Sequence, residues 1–391
     1  MKRMLSALLA VMMLMTALPA AFAEEEDDLS MFEILEDADE RVLSETISGV
    51  PGMEEMELYD EEEAQEPEVV VEADGSVIIT VTATGDFTIG GDSRKRTNIF
   101  EDEMKRHGND VNFTMTNIRD LLADDDLTIV NFEGTLTNST YVPKEKKENQ
   151  FLFSAPPEYV SVLADNSVEA VSLENNHVLD HGEEVYEETQ QHLDEAGIVW
   201  SNSENIGVMD IKGVTVAMLS YLCIDRYDKL WAKVPTDIAA AKTRYDIVIV
   251  NFHWGNELDY APTNNQVKMG RLAVDAGADL VIGHHSHRIQ PIEQYKGVYI
   301  CYSLGNFCFA GNSKPSDMSS IIFQTKFRVK NGEVTNKGFR IVPIRISSKT
   351  DRNDFIPTPL VKETAIDSVL TTLKANGKKL EYAVESYPLE W

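Results

Sequence analysis

Between about residue 75 and residue 292, short apolar runs alternate with longer stretches of helical spacing. The runs are Val77–Thr84, Leu127–Asn131, Val168–Leu173, Val214–Tyr221, Asp246–Phe252 and Ala278–Ile282, which predict strands. Helical patterns cover 112–123, 157–165, 183–196, 236–244 and 264–276, and the last runs into Ala276-Gly277-Ala278, which suits a helix end. Alternation of the two predicts an α/β domain. After Ile292 the pattern becomes hairpin-like, with Lys296-Gly297 and Asn331-Gly332 as turn signals. The sequence shows no internal repeat and no second domain within 73–391.

The N-terminal part has a different texture. Lys2 and Arg3 precede an apolar run from Leu5 to Leu18, then Pro19 and Ala21-Phe22-Ala23. That order predicts an export signal over residues 1–23, cleaved or kept as an anchor, and hence an extracellular or envelope-associated protein. From Glu24 to Glu72 there are 21 acidic residues against one base. Like charges repel and leave little apolar surface to bury, so 24–72 is expected to be an acidic, disordered spacer. The net charge of −31 excludes nucleic acid as a partner, because a phosphate backbone would be repelled. Three cysteines, Cys223, Cys301 and Cys308, are too few for a disulfide framework. Buried free thiols or one Cys301–Cys308 bridge are the alternatives.

The chemistry lies where the apolar runs end. Val77–Thr84 ends in Gly85-Asp86, and Leu127–Val130 in Asn131-Phe132-Glu133. Val168–Leu173 leads to Asn175-Asn176-His177, and Asp246–Val250 to Asn251-Phe252-His253. Asp279–Ile282 ends in Gly283-His284-His285-Ser286-His287. Ligand sites of α/β sheets lie outside the carboxyl ends of the strands, so these residues converge if the strands share one sheet. Carboxylate, amide oxygen and imidazole together are the donors of a divalent transition-metal site. Taken singly each has a plainer explanation: Asp86 as a helix cap, Asn176 as a turn residue, His253 as a core histidine. Recurrence at five strand ends favours one metal site.

The same motifs, in the same order, resemble the CapA family of capsule and poly-γ-glutamate synthesis, and through it the calcineurin-like metallophosphoesterases. They are Gly85-Asp86, Asn131-Phe-Glu133, Asn175-Asn-His-Val-Leu-Asp-His-Gly182, His253-Trp-Gly-Asn-Glu257 and Gly283-His-His-Ser-His287, continuing to Tyr302-Ser-Leu-Gly-Asn-Phe307. The resemblance implies a four-layer α-β-β-α sandwich over 73–391. It implies metal ligation by Asp86, Glu133, Asn176, His253, His285 and His287, with His177 aiding leaving-group departure. Asp180, Glu257 and His284 would support them from the outer shell. One or two divalent ions of Mn, Fe or Zn type are expected, acting on a phosphoester or a capsule polymer, beside membrane capsule-synthesis proteins. The activity implied is metal-dependent hydrolysis, and the alternative is a non-catalytic factor for polymer assembly or export. Thr88 departs from the phosphoesterase pattern, which places a histidine two residues after the first Asp.

Overall fold

The computed structural model describes residues 71–144, 150–224 and 227–391. The export signal expected over residues 1–23, and the acidic spacer expected over 24–72 up to residue 70, lie outside the described residues. Strands come in three groups along the chain. The first comprises β1 Val77–Thr88, β2 Gly91–Asp92, β3 Leu127–Phe132, β4 Thr135–Leu136, β5 Phe153–Ala155, β6 Ala170–Ser172 and β7 Val199–Ser201. Next are β8 Gly207–Ile211, β9 Val214–Cys223, β10 Ile247–Trp254 and β11 Leu280–His284. The last holds β12 Ile292–Tyr295, β13 Val298–Cys301, β14 Asn306–Phe309, β15 Ser319–Lys330, β16 Glu333–Arg345 and β17 Thr358–Pro359.

These strands form two large sheets rather than one. The eight-stranded sheet runs β17-β16-β15-β1-β3-β6-β7, with β14 also pairing β1, and the six-stranded sheet runs β12-β13-β11-β10-β9-β8. Side chains alternate across each strand, so each sheet offers two apolar faces. Ile79 and Val81 of β1 and Ile129 of β3 meet Val216 of β9, Ile249 of β10 and Ile282 of β11 in a shared inner core. The opposite face of β3, Val130 and Phe132, packs under Leu122, Leu163 and Leu193. Val250, Phe252 and Trp254 of β10 pack under Val234, Ile238, Met269 and Ala273. Helix, sheet, sheet, helix is therefore the order of layers, as expected.

Local chemistry explains which predicted helices hold. Glu183–Glu195 and Asn264–Ala276 are continuous, and the second starts with a capping box between Thr263 and Gln266 and stops at left-handed Gly277. The predicted helix over 112–123 is instead a 3-10 turn, Val111–Met115, followed by Arg119–Ala123. Asn112, Thr114, Thr116 and Asn117 are poor helix-interior residues, and Thr116 spends its hydroxyl on the Phe113 carbonyl. The stretch 157–165 is likewise broken, into Pro157–Val160 and Ser161–Ala164. Tyr227–Lys242 begins well before the predicted 236–244 and carries Pro235 inside it. Helices Ile99–Arg106 and Glu363–Gly377 were not apparent from the pattern. Both predicted hairpin turns are present, with Lys296-Gly297 and Asn331-Gly332 all at positive φ. The three cysteines are buried and free.

Two glycines allow the strand ends to approach. A Cβ on Gly85 would lie 2.0 Å from the Gly305 carbonyl oxygen, and one on Gly283 would lie 2.1 Å from that of Tyr302. Each glycine immediately precedes a site residue, Asp86 or His284. Gly85→Ala and Gly283→Ala should each cost about 3 kcal/mol, at the upper end for overpacked sites, because backbone rather than a flexible side chain must yield. Urea denaturation of the two variants checks this.

Candidate metal centre

The carboxyl ends of β1, β3 and β6 in one sheet meet those of β10 and β11 in the other. A register shift of β1 against both β3 and β14 falls at Asp86, the kind of bulge that re-aims a side chain at a site. Asp86 and Glu133 are both fully buried. Ligand atoms of Asp86, Glu133 and His287 lie within 4.8 Å of one another. Beside them His253 Nε2 is 2.6 Å from Asn176 Oδ1, and the His253 and His285 rings are 4.6 Å apart.

An amide joins the two groups. Asn131 Nδ2 donates to Asp86 Oδ1 at 2.9 Å and lies 3.3 Å from His253 Nδ1, so it touches a residue from each sheet. Asn175 donates to Asn131 Oδ1 at 3.3 Å and to the Phe132 carbonyl at 2.8 Å. Asp86 also accepts from the His285 backbone N–H, 3.4 Å from each carboxylate oxygen. His287 Nδ1 is held between Asn306 Oδ1 at 2.8 Å and Asp86 Oδ2 at 3.2 Å, which leaves Nε2 for an ion. His285 and His287 both adopt left-handed backbone, at φ 92° and 52°, so the loop is bent to bring alternate imidazoles inward.

Charge in the cluster is unevenly settled. Burial, and then the negative charge of Asp86, push the Glu133 carboxyl up to about 7. Burial acts upward on Asp86 as well, but His287, His284 and Asn131 outweigh it and hold that carboxyl below its usual range. Burial opposes charge on His287, yet Glu133 and Asp86 carry its imidazole up to about 10. His284 and His285 are each lowered to about 4, by burial first, and His253 falls well below the usual range for the same reason. Neutral imidazoles are the ligating form, so an ion at the cluster would displace the proton that Glu133 and Asp86 hold on His287.

Several of these atoms have no hydrogen-bond partner among the described residues. They are both oxygens of Glu133, both ring nitrogens of His284 and Nδ1 of His285. The nearest imidazole to Glu133 Oε1, His177 Nε2, is 3.6 Å away. A buried carboxylate left unpaired is strongly destabilising, and a divalent ion relieves that cost. Mixed carboxylate, amide and imidazole donors with orphaned atoms therefore fit a divalent transition ion.

The outer residues divide. His177 Nδ1 contacts Asp180 Oδ2 at 2.7 Å, and Asp180 also accepts from the Phe153 N–H at 2.7 Å. His284 is enclosed with Nδ1 3.6 Å from Asp86. Glu257 is exposed, and it acts on Glu133 and His285 through its charge. Thr88 donates its hydroxyl to the Glu133 carbonyl at 2.9 Å, so a backbone tether occupies the place of the absent histidine. Asn131, Asn175 and Asn306, which carry no ligand signal of their own in the sequence, sit inside the same motifs and hold Asp86, His253 and His287 in place. His107, His181 and His192 make their contacts elsewhere, with Phe113, with Ser93 and Tyr141, and with Glu188 and Glu195.

Residues 80–311 match the model of a family described as bacterial capsule synthesis protein PGA_cap. The chain is 33% identical over 255 residues to the PGA biosynthesis protein CapA of Bacillus subtilis (strain 168), covering 60% of this chain and 63% of that one. It is 28% identical over 256 residues to the capsule biosynthesis protein CapA of Bacillus anthracis, covering 59% and 60%. Similarity thus spans less than two thirds of either relative. The calcineurin-like phosphoesterase YfkN from Bacillus subtilis, a solved structure, aligns at TM-score 0.43 and 18% identity, over 78% of this chain and 100% of that one.

Glu133 provides a pH test. Its folded pKa is above the unfolded value of about 4.3, so stability is lost as pH rises from there through about 7. Metal-free Glu133→Gln should therefore melt higher than metal-free wild type at pH 8, with the gap narrowing by pH 5. Added Mn²⁺ should raise the wild-type melting temperature and leave that of the variant little changed. Differential scanning calorimetry with and without chelator checks both.

Proposed function

The chain belongs to the bacterial capsule synthesis protein family PGA_cap, and on that premise we propose that it is a metal-dependent hydrolase of the cell envelope. The reading is carried by Glu133, a fully buried carboxylate with no hydrogen-bond partner among the described residues, beside Asp86 and His287. Asp86, Glu133, Asn176, His253, His285 and His287 would hold one or two divalent ions. When bound, the metal supplies Lewis acidity toward a phosphoryl or carbonyl oxygen and a source of nucleophile at neutral pH.

The chain's own residues account for the rest. Asp180 accepts from His177 Nδ1 and fixes the ring, so Nε2 faces Glu133 and the cleft, where it can pass a proton to a departing oxygen. Asn131 keeps Asp86 and His253 at a fixed spacing, and Asn306 orients His287. A role in capsule or poly-γ-glutamate synthesis is supported by the names of the relatives, and an exported location by the pattern of residues 1–23. Partners of this class are membrane capsule-synthesis proteins, and the substrate is a phosphoester or the polymer itself.

One observation favours a second reading, a non-catalytic polymer assembly or export factor. Thr88 places a structural hydroxyl where phosphoesterases commonly carry a further histidine, so one half of a two-metal site is short of a ligand. Metal analysis of the purified full chain, with hydrolysis assays on phosphoesters and poly-γ-glutamate, separates the two. His177→Ala should lower kcat by about 10²–10⁴ with metal content retained, and Asp180→Asn by about tenfold or more. A chain that acquires no transition metal defeats the hydrolase reading. A metal-loaded chain that cleaves none of these substrates supports the assembly factor.

A further inference from the structure

Over the donor cluster lies a cavity of about 490 Å³, and its wall is chemically two-sided. On the inner side it is lined by His177, His287, Asn306 and Arg288. Arg288 is only 6% exposed, and its guanidinium donates to the His287 carbonyl at 2.8 Å and to Ser316 Oγ at 2.7 Å. It lies over the Tyr260 ring at 5.7 Å. Among the described residues no carboxylate stands within ion-pairing distance of it. A buried guanidinium is always charged, and one left without a carboxylate is expensive to enclose. The Tyr260 hydroxyl donates to Asp317 at 2.6 Å, so that carboxylate meets Arg288 through the ring rather than as an ion pair, and an anion entering the cavity would meet the guanidinium directly.

The outer side is apolar and exposed. Phe151, 46% exposed, stacks on buried Phe153 at 5.6 Å, and Phe309 meets Phe153 edge-on at 5.7 Å. Leu258 is 58% exposed at φ 66°, pinned by its N–H to the Ser286 carbonyl at 2.7 Å. A leucine there is doubly unfavourable, since glycine or asparagine would suit the left-handed backbone and a polar residue would suit the exposure. Phe153 lies 4.6 Å from the His177 ring, so the apolar wall starts on the side where His177 would release a leaving group. At the rim Lys95 covers Phe151 at 4.8 Å, with exposed Glu257 the opposing charge.

We propose that this cavity selects a phosphate ester whose leaving group is an apolar alkyl chain. Arg288 takes the phosphate beside the metal cluster, and Leu258, Phe151 and Phe309 cover the chain. The inference rests on the hydrolase reading for its chemistry, but its binding half can be tested alone.

Isothermal titration calorimetry of the Mn²⁺-loaded full chain with butylphosphonate and octylphosphonate measures selection without turnover. Octylphosphonate should bind at least about tenfold tighter, from partial burial of four more methylenes. Leu258→Asn relaxes the backbone while removing the apolar cover, and should cut that ratio below about threefold. Phe151→Ser should reduce it too, whereas Arg288→Gln should weaken both ligands about tenfold at a similar ratio. Equal affinities, no binding of either ligand, or a ratio that survives both apolar substitutions overturns the proposal. Assays on butyl and octyl phosphate separate it from the parent reading. Chain-length-dependent binding with neither ester hydrolysed leaves the inference standing in its binding half and counts against an alkyl phosphate as the hydrolase's substrate. Both esters bound and hydrolysed alike refutes the inference and leaves the hydrolase.

Discussion

The enclosure of two carboxylates where two sheets meet is the constraint on which the rest of this structure turns. Asp86 and Glu133 are shut away from water, and only Asp86 is fully served by hydrogen bonds and imidazoles. An isolated protein would not retain such a cost without return. The surrounding features follow from it. Three neutral imidazoles, a bridging asparagine and a bent histidine loop are what a cation would need in order to settle the charge. The β1 bulge and the side-chain-free Gly85 and Gly283 give that arrangement its room.

Much of this was legible in the sequence, for a physical reason. A strand buried on both faces must be apolar along its length, so a polar residue at its end stands out, as Asp86, Glu133 and His253 do. The periodicity could not tell that the strands divide between two sheets, because β3 and β10 are equally apolar and nothing local records the partner. Only the resemblance implied the sandwich. Helix 112–123 was misread because its spacing was helical while its side chains prefer to bond their own backbone. Asn131, Asn175 and Asn306 were overlooked because an asparagine after a strand has the same appearance whether it closes a turn or holds a ligand. The sequence leaves Glu257 open between an outer-shell partner and a solvated loop residue, and its side chain is exposed.

Family membership and site geometry answer different questions here. The match to the capsule synthesis family fixes kinship, and the relatives' names indicate a process. Neither specifies a reaction. The geometry speaks to chemistry, through a His177–Asp180 pair facing Glu133 and a cleft with a cation on one side and apolar rings on the other. Thr88 lies between the two accounts. Its hydroxyl stiffens the backbone under Glu133, which would serve a metal site as positioning even though it supplies no ligand.

The central strand β1 has a neighbour on one side from early in the chain, β3, and on the other from late in it, β15. Ser319–Lys330 lies beyond residue 311, where the family match ends, so the matched stretch by itself lacks the strand that pairs with Val77–Ala83 of β1. Synthesis proceeds from the N-terminus, and β1 therefore emerges with its Val77–Ala83 edge open until β15 follows. Completion of the larger sheet has to wait for residues 319–359. Until then the strand that carries Asp86 is present with only part of its sheet around it.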